Sequence, residues 1–518
     1  MILKNTEYRK FFITMLALIL LVSFTSMITP VFLQLCDSFH IALTSKILLI
    51  LAVVIVLSKL FGILVLIFRE RFAEAFNKRN CADMLRDMLH MNYDAITKDG
   101  PTALFERISM SVNDIYNFMT GGFINICSGT AELATTLVLI GLADWRISLC
   151  LLLLIPLNYG GYKLLNKELT RRSLVLQEDT SASFQEIISY LQQVDSIKQL
   201  SGYDCLLQKL QPSVNKSYRS MASINVFAQS VSAGLSGLND IARNFSMIYL
   251  AWRFATMQAG AYSLILLTTV LPLYFSALSK VVHANVNRQS FDTAMNFWKS
   301  LRESRETDGE RTLQNVDDIS LSVSKIPVPG KEIAFPVRGR LKKGDIAQIC
   351  GESGAGKSSF AKALVKFRAC EGIFINGIPL RQIQNSSLRG HVEYIPQTVP
   401  IVRGTLRDNL FLLQPWTPEL EQKAKADPIL KTILQNKTLN SEILEGGTNL
   451  SGGEKQKIAI VRALMTEADV LILDEVCSNI DAASSEAIYE RIALDRNKRI
   501  VFVISHDRLP DGFANVAL

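Results

Sequence analysis

The sequence predicts two halves. The first is an all-α transmembrane domain of six helices with long cytoplasmic helical extensions. The second is a soluble α/β domain built on a phosphate-binding loop. Three observations lead there. Apolar stretches long enough for a bilayer are confined to the first 280 or so of the 518 residues. The connections between them alternate between very short and very long, and the long ones are basic and helical in pattern. After Lys299 the composition changes, and strand-like apolar runs alternate with helical stretches around the loop Gly351–Ser358.

A bilayer core needs about 20 apolar residues of helix. Phe11–Leu33, Ile47–Phe68, Phe123–Leu142 and Ile147–Leu165 meet that length. Val231–Phe254, interrupted by Asp240 and Arg243, and Tyr262–Val282 complete the expected six. Short links such as Ala143–Arg146 join spans one to two, three to four and five to six. Connections of about 55 and about 65 residues carry Arg69, Arg71, Lys78, Arg79 and Arg86, and then Lys167, Arg171 and Arg172. By the positive-inside bias these face the cytoplasm with Lys4, Arg9 and Lys10, so both termini are expected inside. Spaced apolar positions such as Phe184, Ile187, Ile188 and Leu191 give the long connections a helical period.

The hydrophobic content of 49 % and the formal charge of +7 fit the same picture. The basic residues flank apolar segments, which points to membrane topology and away from nucleic acid. Eight cysteines (Cys36, Cys81, Cys127, Cys150, Cys205, Cys350, Cys370 and Cys477) show no metal-ligand spacing and no disulfide framework. The first apolar run is too long for a cleaved signal. The expected division is 1–300 for the membrane half, 301–318 for a charged linker, and 319–518 for the soluble domain.

In the soluble domain, Asp345–Cys350 reads as a strand, Gly351, Glu352, Ser353, Gly354, Ala355, Gly356, Lys357 and Ser358 as a loop, and Ser359–Phe367 as a helix. Glycines let backbone N–H groups turn onto phosphates, and the helix start adds positive potential. Lys357 would reach the β- and γ-phosphates, and Ser358 would bind Mg²⁺. The apolar run Val470–Leu473 ends in Asp474 and Glu475. Asp474 suits a Mg²⁺ role, and Glu475 suits the base that polarises an attacking water.

These motifs, with those that follow in order, resemble the ATP-binding-cassette (ABC) family. The resemblance implies that Gln397, in Tyr394–Gln397, touches Mg²⁺ and the attacking water. Leu450–Glu454 is similar to the family signature, with Glu454 where many members have Gln. Ser451, Gly452 and Gly453 would then present donors to the γ-phosphate of an ATP held by a second cassette. Asp481 is similar to the D-loop aspartate and His506 to the switch histidine. Glu445 with Gly447 resembles the short loop that meets transmembrane helices in exporters. The fold implied is an α/β P-loop NTPase of ABC cassette type, with ATP and Mg²⁺ as cofactors.

The membrane half resembles exporters with six spans per half. Trp145–Leu149 with Ile155 and Pro156 is similar to the start of their fourth span. Leu89–Ile115 resembles their first coupling region, with Thr102 and Ser111 at its usual glycine and aspartate positions. One chain would then be a half-transporter, an ATP-driven translocase working as a homodimer in a bacterial cytoplasmic membrane. Its expected substrate is an amphipathic peptide, drug or lipid. The alternatives are a membrane ATP sensor without transport and one half of a heterodimer; an importer is not expected. With the first span opening near residue 11, no amino-terminal peptidase domain, and hence no leader cleavage by this chain, is expected.

Two departures stand out. No aromatic stands near Lys325 and Ile326, where the family stacks adenine, and Phe335 is the available substitute. The chain also ends soon after His506, where relatives add a strand or two and a helix. Within the spans, Lys59 and Glu132 are charges at similar expected depth. Each costs about 2.5–3.5 kcal/mol at mid-bilayer on insertion scales, so they are expected to pair or to line a translocation cavity. Arg243 and Arg253 are lesser candidates.

Overall fold

The computed structural model describes residues 44–518 except 192, 257–260, 353, 413–415, 479, 506–508, 511–512 and 515. Before residue 44 it describes 9–10, 13–18, 21–22, 28, 31–32 and 39. The expected first span, the Ser353 position and His506 therefore lie wholly or largely outside the described residues. The chain divides into two compact units, Met1–Arg86 with Phe105–Ser300, and Asp87–Leu104 with Leu301–Leu518.

The first unit is helical. Its elements come from α1 (Ser45–Leu89), α3 (Pro101–Asn117), a π-helical turn (Phe118–Gly122), α4 (Phe123–Ala143), α5 (Trp145–Leu191), α6 (Val194–Leu200), α7 (Tyr203–Ala255) and α8 (Ala261–Glu303); α2 (Tyr93–Asp99) belongs to the second unit. Among the described residues, Ser45–Leu89, Pro101–Ala143 and Trp145–Leu169 are long and apolar enough to cross a membrane. The apolar part of α8, Thr268–Val282, is shorter. The expected fifth span runs through α7 as unbroken helix, with Asp240 and Arg243 paired to each other at 2.9 Å. On α1, Leu49, Ile50, Val53, Val56 and Leu57 are all exposed. An apolar surface of that extent suits lipid rather than water.

Small residues set how closely these helices approach. A Cβ on Gly129 of α4 would lie 2.8 Å from Val281 and 3.1 Å from the Ala277 carbonyl of α8. On α5, a Cβ at Gly161 would lie 2.6 Å from Leu235 of α7. Polar groups then satisfy one another across the contacts. Asn158 and Asn239 exchange amide hydrogen bonds of 2.9 and 3.0 Å, and Tyr274 donates to the Leu151 carbonyl at 2.6 Å. Arg253 pairs with the buried Asp144, which also caps the start of α5 by accepting from the Arg146 N–H at 2.9 Å.

The close approach at Gly129 also decides the partner of Glu132. Lys280 of α8 donates to both carboxylate oxygens, at 2.8 and 2.7 Å. The pairing of Glu132 with Lys59 does not occur: Lys59 is exposed on α1, whereas Gly129, one turn from Glu132, brings α4 against the Lys280 stem itself.

The second unit is built on two sheets. β1 (Asp318–Val328) and β2 (Lys331–Lys342) form a long antiparallel hairpin with a bulge between Val323 and Lys325, extended by β4 (Ile373–Ile375) and β5 (Ile378–Pro379). The second sheet is parallel, in the order β11-β3-β10-β9-β6, from β3 (Ile346–Ile349), β6 (Val392–Ile395), β9 (Val470–Asp474), β10 (Ile500–Ile504) and β11 (Val516–Ala517). Every residue of β9 and β10 is buried. That is the pattern of parallel strands covered on both faces, and it explains why their sequences run apolar without alternation. The end of the chain thus supplies an edge strand, β11, with Leu518 bonded to Gln348 and Cys350.

Helices α9 (Lys357–Leu364), α10 (Asn385–His391), α11 (Leu406–Leu410), α12 (Pro418–Ala426), α13 (Pro428–Leu434), α14 (Gly452–Met465) and α15 (Ala482–Leu494) complete this unit, with the two-stranded ribbon β7 (Gly404–Thr405) and β8 (Glu442–Ile443). The expected linker is not loose. Leu313 and Val316 are buried in the core, Glu306 pairs with Arg389 at 2.6 Å, and Asp308 caps α10 at the Asn385 N–H. Asp87, almost fully buried, receives both Arg302 and Arg305. The seven described cysteines are free thiols.

Candidate nucleotide site

Parallel strands open their C-terminal ends to ligands, and the candidate residues gather there. β3 runs into the glycine-rich loop, and α9 begins at Lys357. Gly356 has φ of 101°, and a Cβ on it would meet Ile333 at 3.1 Å, so the turn demands glycine. The Lys357 ammonium lies inside the loop, donating to the carbonyls of Gly351 at 2.7 Å and Glu352 at 3.0 Å. A buried cation ringed by a glycine cradle fits a polyphosphate.

β9 carries Asp474 to the same place. Its side chain is 1 % exposed; Oδ1 accepts from the Ser358 hydroxyl at 3.1 Å and Oδ2 from the Tyr394 hydroxyl at 3.0 Å. Burial holds the Asp474 carboxyl above its ordinary value, opposed by those two hydroxyls. Ser358 and Asp474 therefore juxtapose two hard oxygen donors of the kind Mg²⁺ takes. Glu475, next in the chain, sits at a φ of 53°, in the left-handed region that costs a non-glycine residue about 1–3 kcal/mol. Its N–H bonds the Ile504 carbonyl at 2.9 Å, and Gln397 donates to its carboxylate at 2.6 Å. Ser358, Asp474, Gln397 and Glu475 are thus brought together.

The signature residues form a separate group. Ser451 caps α14 with a reciprocal bond pair: its hydroxyl accepts from the Glu454 N–H at 3.2 Å, and the Glu454 carboxylate accepts from the Ser451 N–H at 2.8 Å. Lys437 holds the same carboxylate at 3.0 Å, so Glu454 has its own ionic partner here. Gly452 and Gly453 lie in the first turn. Asp481 caps α15 through the Ser484 N–H at 2.8 Å. The turn at Glu445–Gly447 has left-handed glycines, and a Cβ on Gly447 would meet Ile401 at 2.9 Å.

Phe335 is not an adenine platform. It is 6 % exposed and stacks on Phe360 of α9, centroids 5.2 Å apart, in the core beneath the loop. Ile326 is fully buried and Lys325 pairs with Glu332 at 2.8 Å. The two-residue period of the hairpin turns Phe335 inward with Val337. Sequence reasoning missed Tyr394 as a partner of Asp474. The two residues lie 80 positions apart on neighbouring parallel strands, and the local pattern of neither signals the contact.

Residues 335–478 match the family described as ABC transporter. The SPbeta prophage-derived sublancin-168-processing and transport ATP-binding protein of Bacillus subtilis (strain 168) is 27 % identical over 65 % of this chain and 49 % of its own length. The lactococcin-G-processing and transport ATP-binding protein of Lactococcus lactis subsp. lactis is 28 % identical over 62 % of this chain and 47 % of its own. A probable multidrug resistance ABC transporter ATP-binding/permease protein of B. subtilis (strain 168) is 35 % identical over 34 % of this chain and 30 % of its own length. The chain thus spans about half, or less, of the length of these relatives. A solved bacterial Atm1-family ABC exporter with ATP bound has the same fold, with a TM-score of 0.83 at 17 % identity over 97 % of this chain and 92 % of that one. Residues 335–478 thus match the ABC transporter family, and the chain as a whole shares the fold of a solved exporter.

Proposed function

We propose that this chain is one half of an ATP-driven exporter, acting as a homodimer in the cytoplasmic membrane with both termini inside. The observation that carries the reading is the convergence of Ser358, Asp474, Gln397 and Glu475 beside the glycine cradle. In it, Lys357 and the loop N–H groups bind the phosphates, and Ser358 and Asp474 hold Mg²⁺. Mg²⁺ supplies neutralisation of the phosphate charge during phosphoryl transfer. Glu475 orients and takes a proton from the attacking water, held in position by Gln397; His506 contacts the γ-phosphate. Ser451, Gly453 and Asp481 act on ATP bound to the partner cassette, which is why one chain does not complete a site. The cargo is an amphipathic molecule. The names of relatives that transport sublancin-168 and lactococcin-G favour peptide-like cargo over drug or lipid.

The test is Mg²⁺-dependent ATP hydrolysis by the full chain in lipid nanodiscs, wild type beside Glu475→Gln. Turnover by the wild type, reduced at least 100-fold in the variant, supports the reading. Silence from the wild type alone, cured by a co-purifying second chain, replaces the homodimer with a heterodimer.

A further inference from the structure

Tyr93 opens α2, the short helix that belongs to the second unit. Its ring stacks on Phe367 with centroids 4.8 Å apart and planes 5° from parallel. Phe367 in turn meets Tyr394 edge-on at 6.4 Å, and the Tyr394 hydroxyl donates to Asp474 at 3.0 Å. One cavity of about 730 Å³ is lined by Tyr93, Phe367, Tyr394, Gln397, Ser358 and Asp474 together. A second strand of contacts runs beside it: Arg368 bonds Asp94 of α2 at 3.4 Å and the Ser359 hydroxyl, next to Ser358, at 2.6 Å.

The geometry points to Tyr394 as a positioning residue for the metal-binding carboxylate, set by the seat of α2 through Tyr93 and Phe367. The reason is stereochemical. Asp474 has two oxygens, and the Tyr394 hydroxyl occupies Oδ2, which leaves Oδ1 turned to Ser358. The hydroxyl reaches Oδ2 only while its ring keeps its place, and Phe367, in edge-to-face contact with that ring, is itself stacked on Tyr93. Stacked and edge-on aromatic contacts are directional. A shift of α2 therefore alters how well Asp474 is presented to a cation. This inference rests on the reading that Ser358 and Asp474 hold the metal.

The experiment is Mn²⁺ binding to the full chain in nanodiscs with saturating ADP, followed by electron paramagnetic resonance, with ADP affinity measured separately in chelator. Tyr394→Phe keeps the ring and removes the hydroxyl. Outer partners of metal ligands typically contribute 10–100-fold to metal affinity, so its Mn²⁺ Kd is expected to rise about 10-fold with metal-free ADP affinity unchanged. Tyr93→Leu, far from the carboxylate, is expected to raise the Mn²⁺ Kd in the same direction by a smaller factor. The double variant is expected to bind no more weakly than Tyr394→Phe alone, because the two act on one path. A Tyr394→Phe Kd within twofold of wild type overturns the positioning role. A Tyr93→Leu Kd within twofold of wild type, or effects that multiply in the double variant, overturn the path from α2. Equal losses of Mn²⁺ and metal-free ADP binding mark a collapsed site and also overturn it. Failure of the wild type to bind Mn²⁺ with ADP rejects the metal-site reading itself, and this inference with it.

Discussion

Replacing Glu132 with Gln tests the one buried ion pair whose partner the sequence misplaced. The Glu132 carboxylate is 7 % exposed and takes the Lys280 ammonium on both oxygens; Lys280 is 38 % exposed. In the variant one amide oxygen still accepts, but the charge that balanced Lys280 is gone. A lone charge at mid-bilayer costs about 2.5–3.5 kcal/mol on insertion scales, and a third of this Lys side chain has other surroundings, so a loss of about 2 kcal/mol is expected. Breaking buried pairs in soluble proteins costs about 3–5 kcal/mol, which sets the upper limit. Neutralising both residues, as Glu132→Gln with Lys280→Met, should recover stability to within about 1 kcal/mol of wild type. Lys59→Met, on an exposed position of the apolar helix α1, should not destabilise, because by the same scale a charge in a span costs energy. The assay is the folded, monodisperse fraction after graded heating in nanodiscs, for the three single variants and the two double variants, Glu132→Gln with Lys280→Met and Glu132→Gln with Lys59→Met. Additive losses from Glu132→Gln and Lys280→Met would refute the pair, and rescue of Glu132→Gln by Lys59→Met beyond the effect of Lys59→Met alone would refute the assignment of Lys280.

Three further outcomes are expected. Asp469 accepts from Lys343 at 2.8 Å, His391 at 2.8 Å and the Val316 N–H at 3.0 Å. Burial pushes its carboxyl up, but these partners outweigh it and hold it below the ordinary carboxylate range. A lowered value means stability that is full above about pH 4 and lost as pH falls through the folded value. Asp469→Asn should therefore speed exchange of the Val316 amide roughly 10- to 30-fold near neutral pH, from about 1.5–2 kcal/mol, and the gap to wild type should close in acid; a pH-independent gap contradicts the charge role. Asn158→Leu and Asn239→Leu should show a coupling energy of about 0.6–1.7 kcal/mol in a double-variant cycle of thermal stability, and zero coupling would deny the amide exchange. With Phe335 buried and Ile326 buried in place of an aromatic platform, ATP and GTP should be hydrolysed with kcat/KM values within about fivefold, one pocket contact being worth about 1 kcal/mol; a larger ratio would reveal a base-reading group.

The cassette was legible because its chemistry is local. A phosphate cradle needs glycines, a lysine and a hydroxyl at contiguous positions on a strand–loop–helix turn, so Gly351–Ser358 announced itself. The strand ending in Asp474 and Glu475 and the cap at Ser451 are equally contiguous. Of the long helices, the apolar stretches of α1, α4 and α5 were legible from their length alone. What stayed hidden was whatever depends on the second chain segment in a contact. The partner of Glu132 was decided by Gly129, which lets α4 approach α8 until Lys280 reaches the carboxylate. Depth counted along separate helices had suggested Lys59 instead. The linker gave no sign that Leu313, Val316, Glu306 and Asp308 are each anchored to the cassette, because a charged stretch reads alike whether solvated or paired.

The sequence by itself thus determined the fold class and nominated the residues of the candidate nucleotide site, because both follow from spacing along one strand, loop or helix. Only the tertiary structure decided that Lys280 answers Glu132, that Phe335 faces the core, and that Tyr93 reaches Asp474 through Phe367 and Tyr394. Each of those depends on a side chain meeting another far away in the chain, and the energy of such a contact is set by the packing of two elements, which neither element's own pattern specifies.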